Sequence, residues 1–237
     1  LLVAIEAGGQ GVLMAPTEIL VQQHVDNLRP LGDKSGVVVE SLTGRDKGKE
    51  RERKLAALRT GNIHILIGTH AVFQSGVDFS DLRLAIIDEQ HRFGVRQRLA
   101  LGEKGSGVDV LVMTATPIPR SLALSQYGEM DLTVLSEKPA GRKPVKTVMI
   151  SDNRVKEIIF KLKEAIDSNI QAYWVCPLIE ESEILDYTAA EERFKSLRAD
   201  LGESKVGLVH GQLSSEDKDE VMKKFSQGKI KVLVSTT

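Results

Sequence analysis

Cysteine is almost missing from this sequence. One residue, Cys176, in 237 excludes an intramolecular disulfide framework and a zinc site built on several thiolates. It sits in the apolar run AYWVC, which predicts a buried, reduced thiol and a cytoplasmic compartment. Aromatic residues make up only 4%, too few for extensive base stacking on single strands. Long apolar runs are missing too: none approaches the roughly 18 residues that span a bilayer. Neither sign of charge dominates, since 32 basic residues face 33 acidic ones. A polyanionic partner is therefore neither required nor excluded by net charge, and would depend on a local basic patch. The N-terminal LLVAIEAGGQG carries neither a starting Met nor a basic n-region, so it does not read as a signal peptide. The expectation is an internal portion of a longer chain, long enough for one large domain or two ordinary ones.

What is present is an alternation of short β-branched runs with helix-length amphipathic segments. Strands are predicted over 11–15, 36–42, 63–68, 83–88 and 109–114, with helical period in TEILVQQHVDNL and KGKERERKLAALRTG. Near-continuous apolar strands separated by helices imply a parallel sheet covered on both faces. The segment SEKPAGRKPVKT, with Pro139, Gly141 and Pro144 among basic residues, reads as an exposed linker. Beyond it, strands are predicted over 145–150, 171–176, 205–210 and 230–235, and helices over 153–167, 188–200 and 215–226. The expected fold is α/β, with two lobes of mainly parallel sheet at 1–137 and 148–237 joined by 138–147.

Polar residues gather where strands end. The run LAII stops at Asp88-Glu89-Gln90-His91. In open α/β sheets, ligands bind beyond the carboxyl ends of the strands. Adjacent carboxylates there can divide two tasks: one holds Mg²⁺, usually through water, and the other polarises an attacking water. The same dipeptide also occurs as a plain solvated strand end. A zinc reading through Asp88 and His91 is weaker, because a histidine pair or cysteines at ligand spacing are missing. Next, VLVM ends in TATPIPR, where Thr114 and Thr116 flank Ala115. Their hydroxyls could reach the Asp88-Glu89 loop if the two strands are neighbours. A third end is Pro16-Thr17-Glu18, with Thr17 placed to cap a helix whose free N–H groups suit phosphate. A fourth is Gly68-Thr69-His70. Capping alone explains any one of these. Four of them on the carboxyl edge of one sheet predict a site.

These residues carry a resemblance. DEQH, followed by RFGVRQR and MTATPIPR, resembles superfamily 2 DNA helicases, most nearly the RecG family of branch-migrating, fork-remodelling helicases. It extends along the chain through LMAPTEIL, LTGRDKGKER, IGTHAVFQ, AYWVCPLIEESE, GLVHGQLSSEDK and VLVSTT. Transcription-repair coupling factors share HRFGV and TATPIPR but typically spell a second glutamate where Gln90 stands. Gln90 and PLIEESE therefore favour the RecG family. The resemblance implies two RecA-like lobes that hydrolyse ATP in the cleft between them. It implies that Asp88 positions Mg²⁺ and Glu89 orients the attacking water, while Gln90 and His91 face the cleft. Thr114, Ala115 and Thr116 are expected to relay nucleotide state. Contacts to the phosphate backbone of branched double-stranded DNA are expected from Pro16, Thr17, Glu18, Gly68, Thr69, His70, His210, Gly211 and Gln212. Gly141 is expected near the hinge.

One departure limits that picture. The pattern G-x-x-x-x-G-K-[ST] does not occur; the nearest approach, GRDKGKE, has one residue too few between its glycines and Glu50 at the hydroxyl position. The family's P-loop is expected upstream of Leu1 and its motif VI beyond Thr237, so the 237 residues alone are expected to be inactive as an ATPase. Residues 45–54 hold six basic and three acidic side chains, which suits a phosphate-facing helix or a solvated charged face. A non-enzymatic DNA-binding fragment and an unrelated doubly wound hydrolase using Asp88 and Glu89 remain as alternatives.

Overall fold

Gln10–Met14 form a strand (β1) with all five positions buried, which demands cover on both faces. The computed structural model describes residues 1–89, 107–116, 131–139, 141–176 and 183–236. In it β1, preceded by the short helix α1 (Leu2–Glu6), is the middle strand of five. The others are β2 (Val39–Leu42), β3 (Ile65–Gly68), β4 (Leu82–Ile87) and β5 (Asp109–Val112). Their order is β2-β3-β1-β4-β5 and every pairing is parallel. Side chains alternate between the faces. Val12, Met14, Leu66, Ala85 and Ile87 pack with Leu58 of α3 (Gly48–Arg59). Leu13, Ala15, Ile65, Ile67 and Ile86 pack with Val21 and Val25 of α2 (Glu18–Ser35). The two crossover helices thus cover opposite faces, as a doubly wound sheet requires.

Helix α2 runs past the predicted end at residue 28 and contains Pro30. The missing proline N–H leaves one helical rung open without ending the helix. Termination falls to Gly36, whose φ of 71° lets its N–H reach the Gly32 carbonyl.

A buried amide locks this sheet from its other end. Gln10, 3% exposed, donates from Nε2 to the carbonyls of Leu58 (2.9 Å) and Ile63 (2.6 Å). Its Oε1 accepts from the N–H groups of Ser80 (2.6 Å) and Asp81 (3.1 Å). One side chain therefore joins the end of α3 to the approaches of β3 and β4. Gln10→Leu strands these backbone groups, each worth about 1–3 kcal/mol when left unpaired in a core. Some will find water, so a net destabilisation of about 2 kcal/mol is expected. Equilibrium denaturation checks it, and an unchanged midpoint would refute it.

The chain divides into two compact units, Leu1–Ser136 and Glu137–Thr237. The second contains β6 (Ala172–Cys176), β7 (Val206–Val209) and β8 (Val232–Thr236), ordered β6-β8-β7 and all parallel. Its helices are α4 (Val155–Asp167), α5 (Glu183–Leu201) and α6 (Ser215–Ser226). Ile166, Leu197, Val206, Val232 and Val234 form one core cluster, and Phe225, Ile230 and Leu233 another. The module β7-α6-β8 repeats β2-α3-β3. Val39 faces Ile65, and Val206 faces Val232 at the same separation along the chain. Even the amide lock recurs: Gln171 Nε2 donates to the carbonyls of Phe225 (2.6 Å) and Ile230 (3.0 Å).

Two expectations need correction. VKTVMI, 145–150, is not a strand; residues 141–150 carry no regular element and are exposed. A strand needs the hydrogen-bonding edge of a neighbour, and no described strand pairs with this segment. Helix α5 begins at Glu183 rather than 188, since no Gly or Pro interrupts the intervening residues. Cys176 is half-buried in β6; burial pushes its thiol up, against the opposing pull of the Arg193 charge. Among the described residues, no helix is long and apolar enough to cross a membrane.

Candidate functional site

Parallel pairing sends all five described strands of the first sheet to the same carboxyl edge. The register makes them stop together: Met14 lies opposite both Gly68 and Ile87, Ile87 opposite Val112, and Leu42 opposite Gly68. The ladder runs slightly further. Ala15 N–H donates to the Gly68 carbonyl (3.0 Å), Asp88 N–H to that of Met14 (2.9 Å), and Met113 N–H to that of Ile87 (2.8 Å). Pro16–Glu18, Gly68–His70, Asp88-Glu89 and Thr114–Thr116 therefore converge on one edge.

Asp88 is held at both oxygens. Oδ1 accepts the N–H of Glu89 (2.9 Å), and Oδ2 lies 3.0 Å from Nε2 of His24 on α2. Glu89 adopts φ 53°, a left-handed conformation uncommon for a residue with a side chain. Among the described residues, no three acidic, histidine or cysteine side chains cluster as a protein-only metal cage. Mg²⁺ does not need one, because it usually keeps several waters and takes one or two carboxylates beside substrate phosphates. Asp88 fits that demand.

Around this pair the other ends differ in what they offer. Thr17 caps α2, its hydroxyl accepting from Leu20 N–H (3.3 Å). The carboxylate of Glu18 is paired with Arg45, in the loop after β2. That loop is braced from behind: Asp46 accepts from Thr43 N–H (2.8 Å) and from Lys54 Nζ (2.6 Å). Burial raises the Asp46 carboxyl, but Lys54 and the Thr43 N–H outweigh it and hold the group below its usual 3.8. Arg51 meets Gln74, and Arg53 meets Glu50. Much of the basic character of 45–54 is thus already engaged within the fold.

Gly68 and Thr69 are buried, whereas His70 is exposed and begins a 3-10 turn ending at Phe73. Only His70 of the three presents its side chain to solvent. Thr114, Ala115 and Thr116 are exposed. The hydroxyls of Thr114 and Thr116 bond each other (3.0 Å), and Thr116 N–H donates to Thr114 Oγ1 (3.2 Å). They close a local turn beside the Asp88-Glu89 loop. Gln90 and His91 lie outside the described residues. In the second unit His210–Gln212 follow β7 at the carboxyl edge of its sheet, where Lys218 Nζ donates to the Gly211 carbonyl (2.8 Å). Ser214 caps α6 by accepting from Asp217 N–H (3.1 Å).

One contributor escaped the sequence reading, His24 on the inner face of α2; Arg45 was read within the basic patch 45–54, but its pairing with Glu18 was not. A signal for His24 existed. Val21, Val25 and Leu28 mark the sheet-facing stripe of α2, and His24 falls within that helical spacing.

A DEAD/DEAH box helicase family model matches residues 1–124, and a helicase conserved C-terminal domain model matches 154–237. The chain belongs to the DEAD/DEAH box helicases. Its two sheets are accordingly RecA-like. This helicase chain is 48% identical over 241 residues to ATP-dependent DNA helicase RecG of Pasteurella multocida, covering 100% of the chain and 35% of that protein. It is 49% identical over 239 residues to ATP-dependent DNA helicase RecG of Escherichia coli K12, with 99% and 34% covered. Among solved structures, RecG bound to a three-way DNA junction matches with a TM-score of 0.72 and 42% identity. That match covers 97% of this chain and 30% of the other. The chain spans about a third of the length of the curated relatives it matches.

Proposed function

We propose that this DEAD/DEAH box helicase chain is the motor portion of an ATP-dependent DNA helicase of RecG type. In the complete protein it acts on branched double-stranded DNA during recombination and repair, in the cytoplasm. Residues 1–137 and 148–237 are its two motor lobes, and 138–147 the linker. The observation that carries the reading is the shared carboxyl edge of the first sheet, where Asp88-Glu89 stand among the other polar strand ends. Similarity along the whole chain to ATP-dependent DNA helicases RecG supports DNA as the substrate, and the likeness to RecG bound to a three-way DNA junction favours branched DNA.

Phosphoryl transfer asks mainly for positioning and charge neutralisation. Asp88 would hold Mg²⁺, in keeping with a carboxylate oriented at both oxygens. Bound Mg²⁺ supplies neutralisation of the charge that develops on the transferred phosphoryl group. Glu89 orients the attacking water and accepts its proton. Gln90 and His91, together with Thr114, Ala115 and Thr116, couple nucleotide state to the rest of the motor. Pro16, Thr17 and Glu18, with Gly68, Thr69 and His70, form the DNA face of the first lobe; His210, Gly211 and Gln212 form that of the second. Such contacts track phosphates and fix register without reading sequence. For Glu18 the Arg45 ion pair suggests an indirect part, with the carboxylate orienting a guanidinium toward phosphate.

No G-x-x-x-x-G-K-[ST] occurs in these 237 residues, so the phosphate-gripping lysine is not among them. The chain alone is accordingly expected to hydrolyse no ATP, while the complete protein hydrolyses it in response to DNA. The test is ATP turnover by the complete protein with a three-way junction, a linear duplex and RNA. Greater stimulation by the junction is expected. Equal stimulation by junction and linear duplex would favour a transcription-repair coupling factor-like translocase, with which the chain shares HRFGV and TATPIPR. Absence of DNA-stimulated turnover would overturn the motor assignment.

A further inference from the structure

His24 lies 64 residues from Asp88 in sequence, yet its Nε2 is 3.0 Å from Asp88 Oδ2. Carboxylates only accept hydrogen bonds, so the ring must present Nε2–H to that oxygen. The two side chains are 25% and 21% exposed, so the contact is partly shielded from water. Both neighbours of His24 along the inner stripe, Val21 and Val25, are buried apolar residues of the core. An apolar side chain at position 24 would simply extend that cluster. A histidine there loses hydration and is stabilised only by a suitable partner. The partner it has is the carboxylate at the end of β4.

We infer that His24 is a positioning residue for Asp88, setting the orientation in which that carboxylate receives the divalent cation. The inference rests on the motor reading above. With Oδ1 taken by the Glu89 N–H and Oδ2 by His24, the carboxylate plane is set from two directions. Each oxygen keeps a further lone pair, directed away from the protein donors, for a metal-bound water. In this role His24 acts through Asp88, the partner its Nε2 meets. Loss of a partner that orients a metal-binding carboxylate typically weakens the metal by about 10–100-fold.

The experiment uses the complete protein with ADP and reads Mn²⁺ affinity by electron paramagnetic resonance, alongside the Mg²⁺ dependence of ATP turnover. H24L is expected to weaken Mn²⁺ by about tenfold or more. The Mg²⁺ concentration for half-maximal turnover rises by a similar factor, while nucleotide affinity without metal is unchanged. H24Q places an amide N–H near the position of Nε2 and restores most of the affinity. H24N is too short to reach Oδ2 and behaves as H24L. Unchanged Mn²⁺ affinity in H24L overturns the inference. So does equal weakening in H24L and H24Q, which marks a loss of packing rather than of a donor. If H24L fails to fold, H24Q against H24N decides: equal affinities refute the role. Failure of the motor reading looks different, since the unsubstituted protein would then bind no Mn²⁺ with ADP and show no Mg²⁺-dependent turnover.

Discussion

Replacing Glu89 by Gln in the complete protein is expected to lower ATP turnover by about 10²–10⁴-fold, the usual cost of losing a positioned proton acceptor. Nucleotide affinity stays close to that of the unsubstituted protein. The amide has nearly the shape of the carboxylate but cannot take a proton from water. Asp88 keeps both of its bonds in the variant: one comes from the Glu89 backbone N–H, which every side chain at 89 supplies, and the other from His24. The left-handed backbone at 89, φ 53°, is strained for Glu and Gln alike, so the substitution adds no conformational cost. The predicted defect is therefore confined to the chemical step. Single-turnover hydrolysis and equilibrium binding of labelled nucleotide separate the two effects. Turnover within a few-fold of normal would remove Glu89 from the reaction. Loss of nucleotide affinity in parallel would instead mark Glu89 as part of the binding site.

The arrangement of the first lobe was legible because its central strands, β1 and β3, are buried throughout and β4 is largely so. GVLMA, IHILIG and RLAIID read as continuous apolar runs, and such runs between helices admit few arrangements other than a parallel sheet. Convergence of the strand ends followed from that geometry, since parallel strands share a carboxyl edge. Fine contacts were less legible. The His24–Asp88 bond joins residues whose separation along the chain carries no period, so only the folded sheet reveals it. The same holds for Arg45 and Glu18, which meet only after β2 has crossed to the edge. VKTVMI failed in the opposite sense. Its local pattern suits a strand, but a strand is a property of a pair, and pattern alone says nothing about the partner. The internal repeat went unread because Gln10 and Gln171 look like ordinary polar residues until their four carbonyl partners are seen.

Gly68→Ala is expected to destabilise the protein by about 3 kcal/mol, at the upper end of the usual cost of overpacking a core. Gly68 closes β3, with β2 on one side and β1 on the other. A Cβ built there falls 2.2 Å from the Leu42 carbonyl oxygen and 2.4 Å from Val72 Cγ1. Neither neighbour can yield cheaply. Leu42 is wholly buried and paired with Gly68 in the β2–β3 ladder, while Val72 is buried in the turn that follows. The methyl must therefore push β2 from β3 or shift the 3-10 turn that carries His70. Denaturant midpoints measure the cost, and an unchanged midpoint would show that the strand end has room it is not seen to have. Gly68 thus owes its place at the edge to close backbone packing, independent of any direct contact with DNA. If DNA affinity in Gly68→Ala falls only in proportion to the folded fraction, the residue belongs to the scaffold. If well-folded Gly68→Ala still binds DNA poorly, displacement of Thr69 and His70 is the cause, and His70→Ala should reproduce that loss without the change in stability.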